Sequence, residues 1–129
     1  MAWIELVSVL ALLQYMWFGG LVGAAREKYS VKAPAMVGHD VFERIYRVQM
    51  NTLEQLVAFL PALWMASRYW SPAWVAAIGA VYLVGRMIYR SSYVKDPNSR
   101  ALGFVLTIAP TAVLLVATLV GLGRAVLQA

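Results

Sequence analysis

The stretch FERIYRVQMNTLEQLVAFLPALW, residues 42–64, decides the fold. Its second half is apolar enough to enter a bilayer, yet its first half carries Arg47, Gln49, Asn51 and Glu54. An ionisable group near the bilayer centre costs at least about 2.5–3.5 kcal/mol. A membrane helix that keeps such groups needs partners for them. At about 100° per residue, Arg47, Asn51 and Glu54 fall on one side of this segment, and Gln49 points almost the opposite way. One polar face serves a neighbouring helix of the same subunit, whereas two faces suggest a site shared between subunits.

The rest of the chain has the same character. Of its 129 residues, 62% are hydrophobic and 13% charged, and the mean hydropathy is +0.69. These values lie outside the usual soluble range and point to an integral membrane protein. Windows of about 20 apolar residues can cross a bilayer, and four occur, at 3–25, 48–67, 71–88 and 101–127. With their polar ends included, the spans run about 3–25, 48–67, 71–92 and 97–127. The expected fold class is therefore all-α, an integral membrane four-helix transmembrane bundle forming one domain over 1–129. The first window lacks a basic leader and carries Glu5, so it reads as a retained helix rather than a signal peptide.

Charge sets the expected topology. Arg26, Lys28, Lys32, Arg44 and Arg47 lie between spans one and two, and Arg90, Lys95 and Arg100 lie around the loop between spans three and four. The opposite side holds little beyond Arg68 and Arg124. The positive-inside rule places both basic loops in the cytoplasm and both termini outside it. The net charge of +5 thus reflects topology, and no nucleic-acid partner is expected. The chain has no cysteine, so disulfides, thiolate metal ligands and a protein thiol nucleophile are excluded.

The connections read as turns and caps. In REKYSVKAPAMVGHDVFERIYR, residues 26–47, Pro34 and Gly38 favour turns over continuous helix. In RYWSPAW, residues 68–74, Ser71 is placed to cap the next helix with Pro72 at its first position, and Tyr69, Trp70 and Trp74 suit an interfacial aromatic belt. In YVKDPNSRALGF, Asp96-Pro97 reads as a cap and first-turn proline, which starts span four near Pro97 and puts Arg100 in its first turn. Pro61 and Pro110 fall inside spans two and four, where membranes tolerate them. His39 is the sole histidine, without ligand spacing, so no metal site is expected. Ser91 and Ser92 have no base beside them.

Span three adds a second polar face, because Arg86, Tyr89 and Tyr93 recur at helical spacing. Arginine and tyrosine bind carboxylates, amides and a sulfur. They also serve as interfacial anchors or phosphate contacts, and Arg86 with Glu54 also fits a structural ion pair between spans two and three.

FERIYRVQMNTLEQ together with VYLVGRMIYRSSYVKDPNSR resembles the MAPEG superfamily, the membrane-associated proteins in eicosanoid and glutathione metabolism. The likeness covers nearly the whole chain and is greatest to the microsomal glutathione transferases and leukotriene-C synthase. It rests on the pattern Glu-Arg-x-x-Arg-x-Gln-x-Asn-x-x-Glu and on Tyr-x-x-x-Tyr with an arginine downstream. The resemblance implies a homotrimer with three glutathione sites at subunit interfaces, opening toward the cytoplasmic half of the membrane, in the inner membrane if the source is bacterial. Arg47, Asn51, Glu54, Tyr89 and Tyr93 would bind glutathione from one subunit, and Arg26 and Gln49 would reach in from its neighbour. Arg100 matches the arginine that activates the sulfur.

Two positions depart from leukotriene-C synthase. Gln55 replaces a tyrosine, and Glu27 replaces a second adjacent arginine. The implied activity is therefore a general glutathione transferase, with a lipophilic electrophile or lipid hydroperoxide as second substrate, rather than leukotriene synthesis. Three other readings remain: a lipid-presenting scaffold that does not use glutathione, a purely structural or transport subunit without thiol chemistry, and a prostaglandin-E-synthase-like isomerase. The last needs further polar helpers on span four, where ALGFVLTIAPTAVLLVATLVGLG offers only threonines.

Overall fold

Four long helices follow one another in a computed structural model that describes residues 1–129: α1 (Ala2–Lys28), α2 (Asp40–Ala66), α3 (Pro72–Lys95) and α4 (Ala101–Gln128). A single 3-10 turn, Pro97–Ser99, precedes α4. At about 1.5 Å per residue, helices of 24–28 residues exceed the roughly 30 Å of a hydrocarbon core. The architecture is all-helical, as the four apolar windows predict. α1, α3 and α4 are long and apolar enough to cross a membrane, and α2 is as long but less apolar. That difference is the polar set at its start.

Large apolar side chains cover the outside, among them Trp3, Met16, Trp17, Val57, Trp74 and Leu119. In lipid such a surface is satisfied, and the helices associate through close packing rather than through the hydrophobic effect. The main core joins Ile4, Val7 and Ala11 of α1, Leu56, Phe59 and Leu63 of α2, Val75, Ala76 and Tyr82 of α3, and Leu114 of α4. Phe59 and Tyr82 stack face to face, with ring centroids 3.8 Å apart. Gly79 makes room for this core, because a Cβ there would stand 2.9 Å from Leu63 and 3.0 Å from Val7.

Glycine also brings α3 and α4 together. A methyl group on Gly85 would meet the backbone of Leu106 at 2.6 Å, and one on Gly103 would overlap the backbone nitrogen and Cα of Tyr89. The two helices touch backbone to backbone at these positions.

Three connections differ from the sequence reading. α2 begins at Asp40, so Arg44 and Arg47 lie on helix rather than loop, and only residues 29–39 connect α1 to α2. The charged residues looked like loop, but Asp40 and Glu43 occupy the first turn of α2, where the helix dipole favours acidic groups. His39 caps this helix, its Nδ1 accepting from the Val41 amide at 3.1 Å. Gly38 accommodates the turn at φ +146, a conformation that disfavours side chains. Ser71 does occupy the N-cap position of α3, with Pro72 following, but its side chain makes no capping bond.

The third difference matters most for function. Asp96 caps the 3-10 turn, accepting from the Asn98 amide at 3.0 Å, and Arg100 is the N-cap residue of α4 rather than part of its first turn. At the other end of the bundle, Trp70 Nε1 donates to the Ala117 carbonyl at 2.8 Å, and Tyr69 packs on Gly121. These aromatics therefore pin α4 as well as facing outward.

Candidate active site

The basic end of the bundle holds a cavity of about 670 Å³ between α2, α3 and the start of α4. Its walls are Arg47 and Asn51 of α2, Tyr89 and Tyr93 of α3, Pro97 and Asn98 of the 3-10 turn, Arg100, and Ala101, Phe104 and Val105 of α4. Five of the residues singled out from the sequence thus share one space. Each is delivered by local geometry: positions 47 and 51 are one helical turn apart on α2, as are 89 and 93 on α3, and such pairs lie on one helix face. Arg100 comes to the same rim because the 3-10 turn folds back immediately before it. Arg44, outside these walls, ties α2 to the end of α3, its Nη1 donating to the Val94 carbonyl at 3.3 Å.

Glu54 stands two turns after Arg47 and does not line the cavity; it accepts an ion pair from Arg47 Nη2 at 3.2 Å, both side chains half exposed. The alternative Glu54–Arg86 ion pair that the sequence also allowed does not form. Arg86 is fully buried and makes no ion pair: its Nη2 donates to Thr52 Oγ1 at 2.9 Å and its Nη1 to Thr107 Oγ1 at 3.3 Å. The exposed carboxylate keeps its hydration on α2, and threonine hydroxyls from two helices receive the buried guanidinium instead. The sequence offered no periodic signal for Thr52 and Thr107 as partners, nor for Asn98 and Phe104 as cavity walls.

Arg26 and Gln49 lie elsewhere. Arg26 Nη1 donates to the Ala35 carbonyl at 2.7 Å, and its guanidinium sits 4.9 Å over the Phe42 ring. Gln49 faces α1, where its Nε2 lies 2.7 Å from the place a Cβ on Gly19 would occupy. The opposition of Gln49 to Arg47 is therefore real. Within one chain, neither Arg26 nor Gln49 reaches the cavity.

The cavity joins cationic donors, two amides, two phenols and an apolar wall at Phe104 and Val105. Arginines clamp carboxylates through charge-assisted bonds, and an arginine beside a thiol favours its ionised form. Asn51 Oδ1 is buried without a partner in the protein, and buried polar atoms are seldom left unbonded.

Residues 4–120 match the model of the MAPEG family. The chain belongs to the MAPEG family. Among its relatives is an uncharacterized protein of Synechocystis, 42% identical over 120 residues, covering 93% of this chain and 88% of that protein. Microsomal glutathione S-transferase 2 of Homo sapiens is 36% identical over 122 residues, covering 95% and 83%. Leukotriene C4 synthase of Bos taurus is 35% identical over 94 residues, covering 73% and 63%. The MAPEG match touches all four helices, from the first turn of α1 to about two turns short of the end of α4.

Proposed function

We propose that this MAPEG protein is a membrane-bound glutathione transferase, which holds glutathione in the cavity between α2, α3 and α4 and activates its thiol toward lipophilic electrophiles. The observation that carries the reading is the convergence of Arg47, Asn51, Tyr89, Tyr93 and Arg100 on that one cavity. The likeness to microsomal glutathione S-transferase 2 supports it. Glutathione has two carboxylates for arginines and peptide groups for Asn51 and the tyrosines; its ammonium is assigned to Glu54, which stands outside the cavity walls and would have to exchange its pairing with Arg47 for the ligand.

Arg100 is the residue assigned to the sulfur. A free thiol of this type has a pKa of about 8.5, and lowering it by about two units takes roughly 2.7 kcal/mol. A guanidinium about 4 Å away at an effective dielectric of about 20 supplies roughly 4 kcal/mol before desolvation. One arginine is therefore sufficient. The sulfur then forms a bond to the electrophilic carbon, and the leaving group departs with its electron pair. Phe104 and Val105 offer a wall for the apolar part of that substrate.

A lipid hydroperoxide is the alternative acceptor. The thiolate attacks its terminal oxygen, the O–O bond breaks, and the lipid leaves as an alcohol after gaining a proton. The glutathione sulfenic acid is then reduced by a second glutathione, giving disulfide and water. Both reactions draw on the same positioned thiolate, and binding both reactants in one place supplies the orientation term.

In this reading three copies assemble, and Arg26 and Gln49 complete each site from the neighbouring subunit. The position of Gln49 on the face away from the cavity supports such a division. The basic loops face the cytoplasm, and the single domain of 1–129 lies in the inner membrane if the source is bacterial. Ultraviolet difference absorbance tests the proposal: glutathione added to the detergent-purified trimer gives a thiolate band that decays when chlorodinitrobenzene is added. Absence of both band and turnover in an assembled trimer would favour the lipid-presenting scaffold.

A further inference from the structure

Arg86 is the only lysine or arginine among the buried residues, and it does not line the cavity. It has no carboxylate partner. Thr52 Oγ1 accepts from it while donating to the Val48 carbonyl at 2.7 Å, and Thr107 Oγ1 accepts from it while donating to the Gly103 carbonyl at 2.8 Å. Each hydroxyl spends its one proton on its own helix and keeps a lone pair for the arginine. The guanidinium Nε has no protein partner. A group kept only for stability is a poor use of this space, since well-packed apolar residues replace buried ionic groups at little or no loss.

The third neighbour explains its retention. The guanidinium carbon lies 4.4 Å from the centroid of the Tyr89 ring, and Tyr89 stacks on Tyr93 at 5.4 Å with the rings 8° from parallel. Both tyrosines line the cavity. Thr52 adjoins Asn51 on α2, and Thr107 stands one turn after Gly103, the point where α4 touches the Tyr89 backbone. One side chain thus ties together the three helices that form the cavity and braces Tyr89, on which Tyr93 stacks.

We propose that Arg86 is a positioning residue: from outside the cavity it holds the Tyr89–Tyr93 pair in the geometry that receives glutathione. The inference rests on the glutathione reading of the cavity, but the geometry it asserts exists without the ligand. A cation against a ring contributes from about 0.5 kcal/mol when exposed to about 2 kcal/mol when desolvated, which corresponds to roughly twofold to thirtyfold in affinity. Arg86→Met keeps an unbranched apolar stem and removes charge and fork; Arg86→Lys keeps the charge; Thr52→Val removes one acceptor with little change in shape.

The experiment introduces 3-fluorotyrosine into the full chain in detergent, assigns positions 89 and 93 through single Tyr→Phe variants, and records fluorine spectra before adding glutathione. Turnover is then measured as KM for glutathione and kcat separately. In Arg86→Met both resonances move, KM rises about tenfold and kcat changes less; Arg86→Lys recovers most of the spectral shift and of KM. If Arg86→Met does not fold, Thr52→Val decides, with a smaller displacement of the same two resonances. Resonances at their wild-type positions in a folded Arg86→Met or Thr52→Val protein overturn the inference, even if thermal stability falls. A wild-type protein that does not bind glutathione overturns the function instead, and the ligand-free spectra still decide whether Arg86 sets the tyrosine pair.

Discussion

Replacing Gly103 with alanine is expected to disable the cavity without replacing any residue assigned to glutathione or its sulfur. A Cβ at this position would overlap Tyr89's backbone nitrogen and Cα and stand 2.8 Å from its Cβ. Carbon atoms in ordinary contact lie about 3.5–4.0 Å apart. Backbone cannot rotate out of the way as a side chain can, so α3 and α4 must separate by about 1 Å. That separation falls between Tyr89 on α3 and Arg100, which stands just before Gly103 on α4. A misplacement of about 1 Å costs on the order of 10²-fold in rate, or about 2.7 kcal/mol of activation free energy. Overpacking adds a stability loss of about 1–3 kcal/mol.

The assay is kcat/KM for conjugation of glutathione to chlorodinitrobenzene, normalised to assembled protein. Gly123→Ala serves as the control, because it lies on the same helix with nothing within 4 Å of an added Cβ. It should behave as wild type. An assembled Gly103→Ala protein with kcat/KM within about twofold of wild type would refute the argument that backbone contact between α3 and α4 aligns Arg100 with the tyrosines.

Three further outcomes are expected. Arg100→Ala retains detectable glutathione binding but loses most of the thiolate band, and unchanged turnover would remove Arg100 from its role. Glu54→Gln weakens glutathione affinity about tenfold; because its pair with Arg47 is half exposed, stability changes by only about 0.2–1 kcal/mol, and calorimetry showing wild-type affinity would return Glu54 to a structural part. Gly19→Ala pushes the Gln49 amide from its place against α1, and if Gln49 completes a neighbouring site, the KM for glutathione rises several-fold in the trimer; an unchanged KM would argue against that contribution.

Much of the site was legible because helical spacing is local. Arg47 and Asn51, and Tyr89 and Tyr93, share faces by backbone geometry alone, so their joint appearance in one cavity follows once α2 and α3 pack as antiparallel neighbours. Gln49 likewise had to oppose Arg47. The start of α2 was misread because its charged residues resemble a loop in composition, whereas acidic groups in a first turn stabilise the helix there. Arg100 was placed one turn too deep because Asp96-Pro97 has the form of an α-helix start, and nothing local distinguishes that from a cap on a short 3-10 turn.

The amino-acid sequence by itself determined four helices, the basic end of the bundle and the residues that share each helix face, because length, hydropathy and a 3.6-residue period are properties of the chain taken one segment at a time. Only the tertiary structure decided that Arg86 turns from Glu54 to Thr52 and Thr107, partners 34 and 21 residues away. It also decided that Gly85 and Gly103 let two backbones touch, bringing Arg100 to the tyrosines. Those choices depend on which helix surfaces meet and how closely, and a helix's own periodicity specifies its faces without specifying what lies against them.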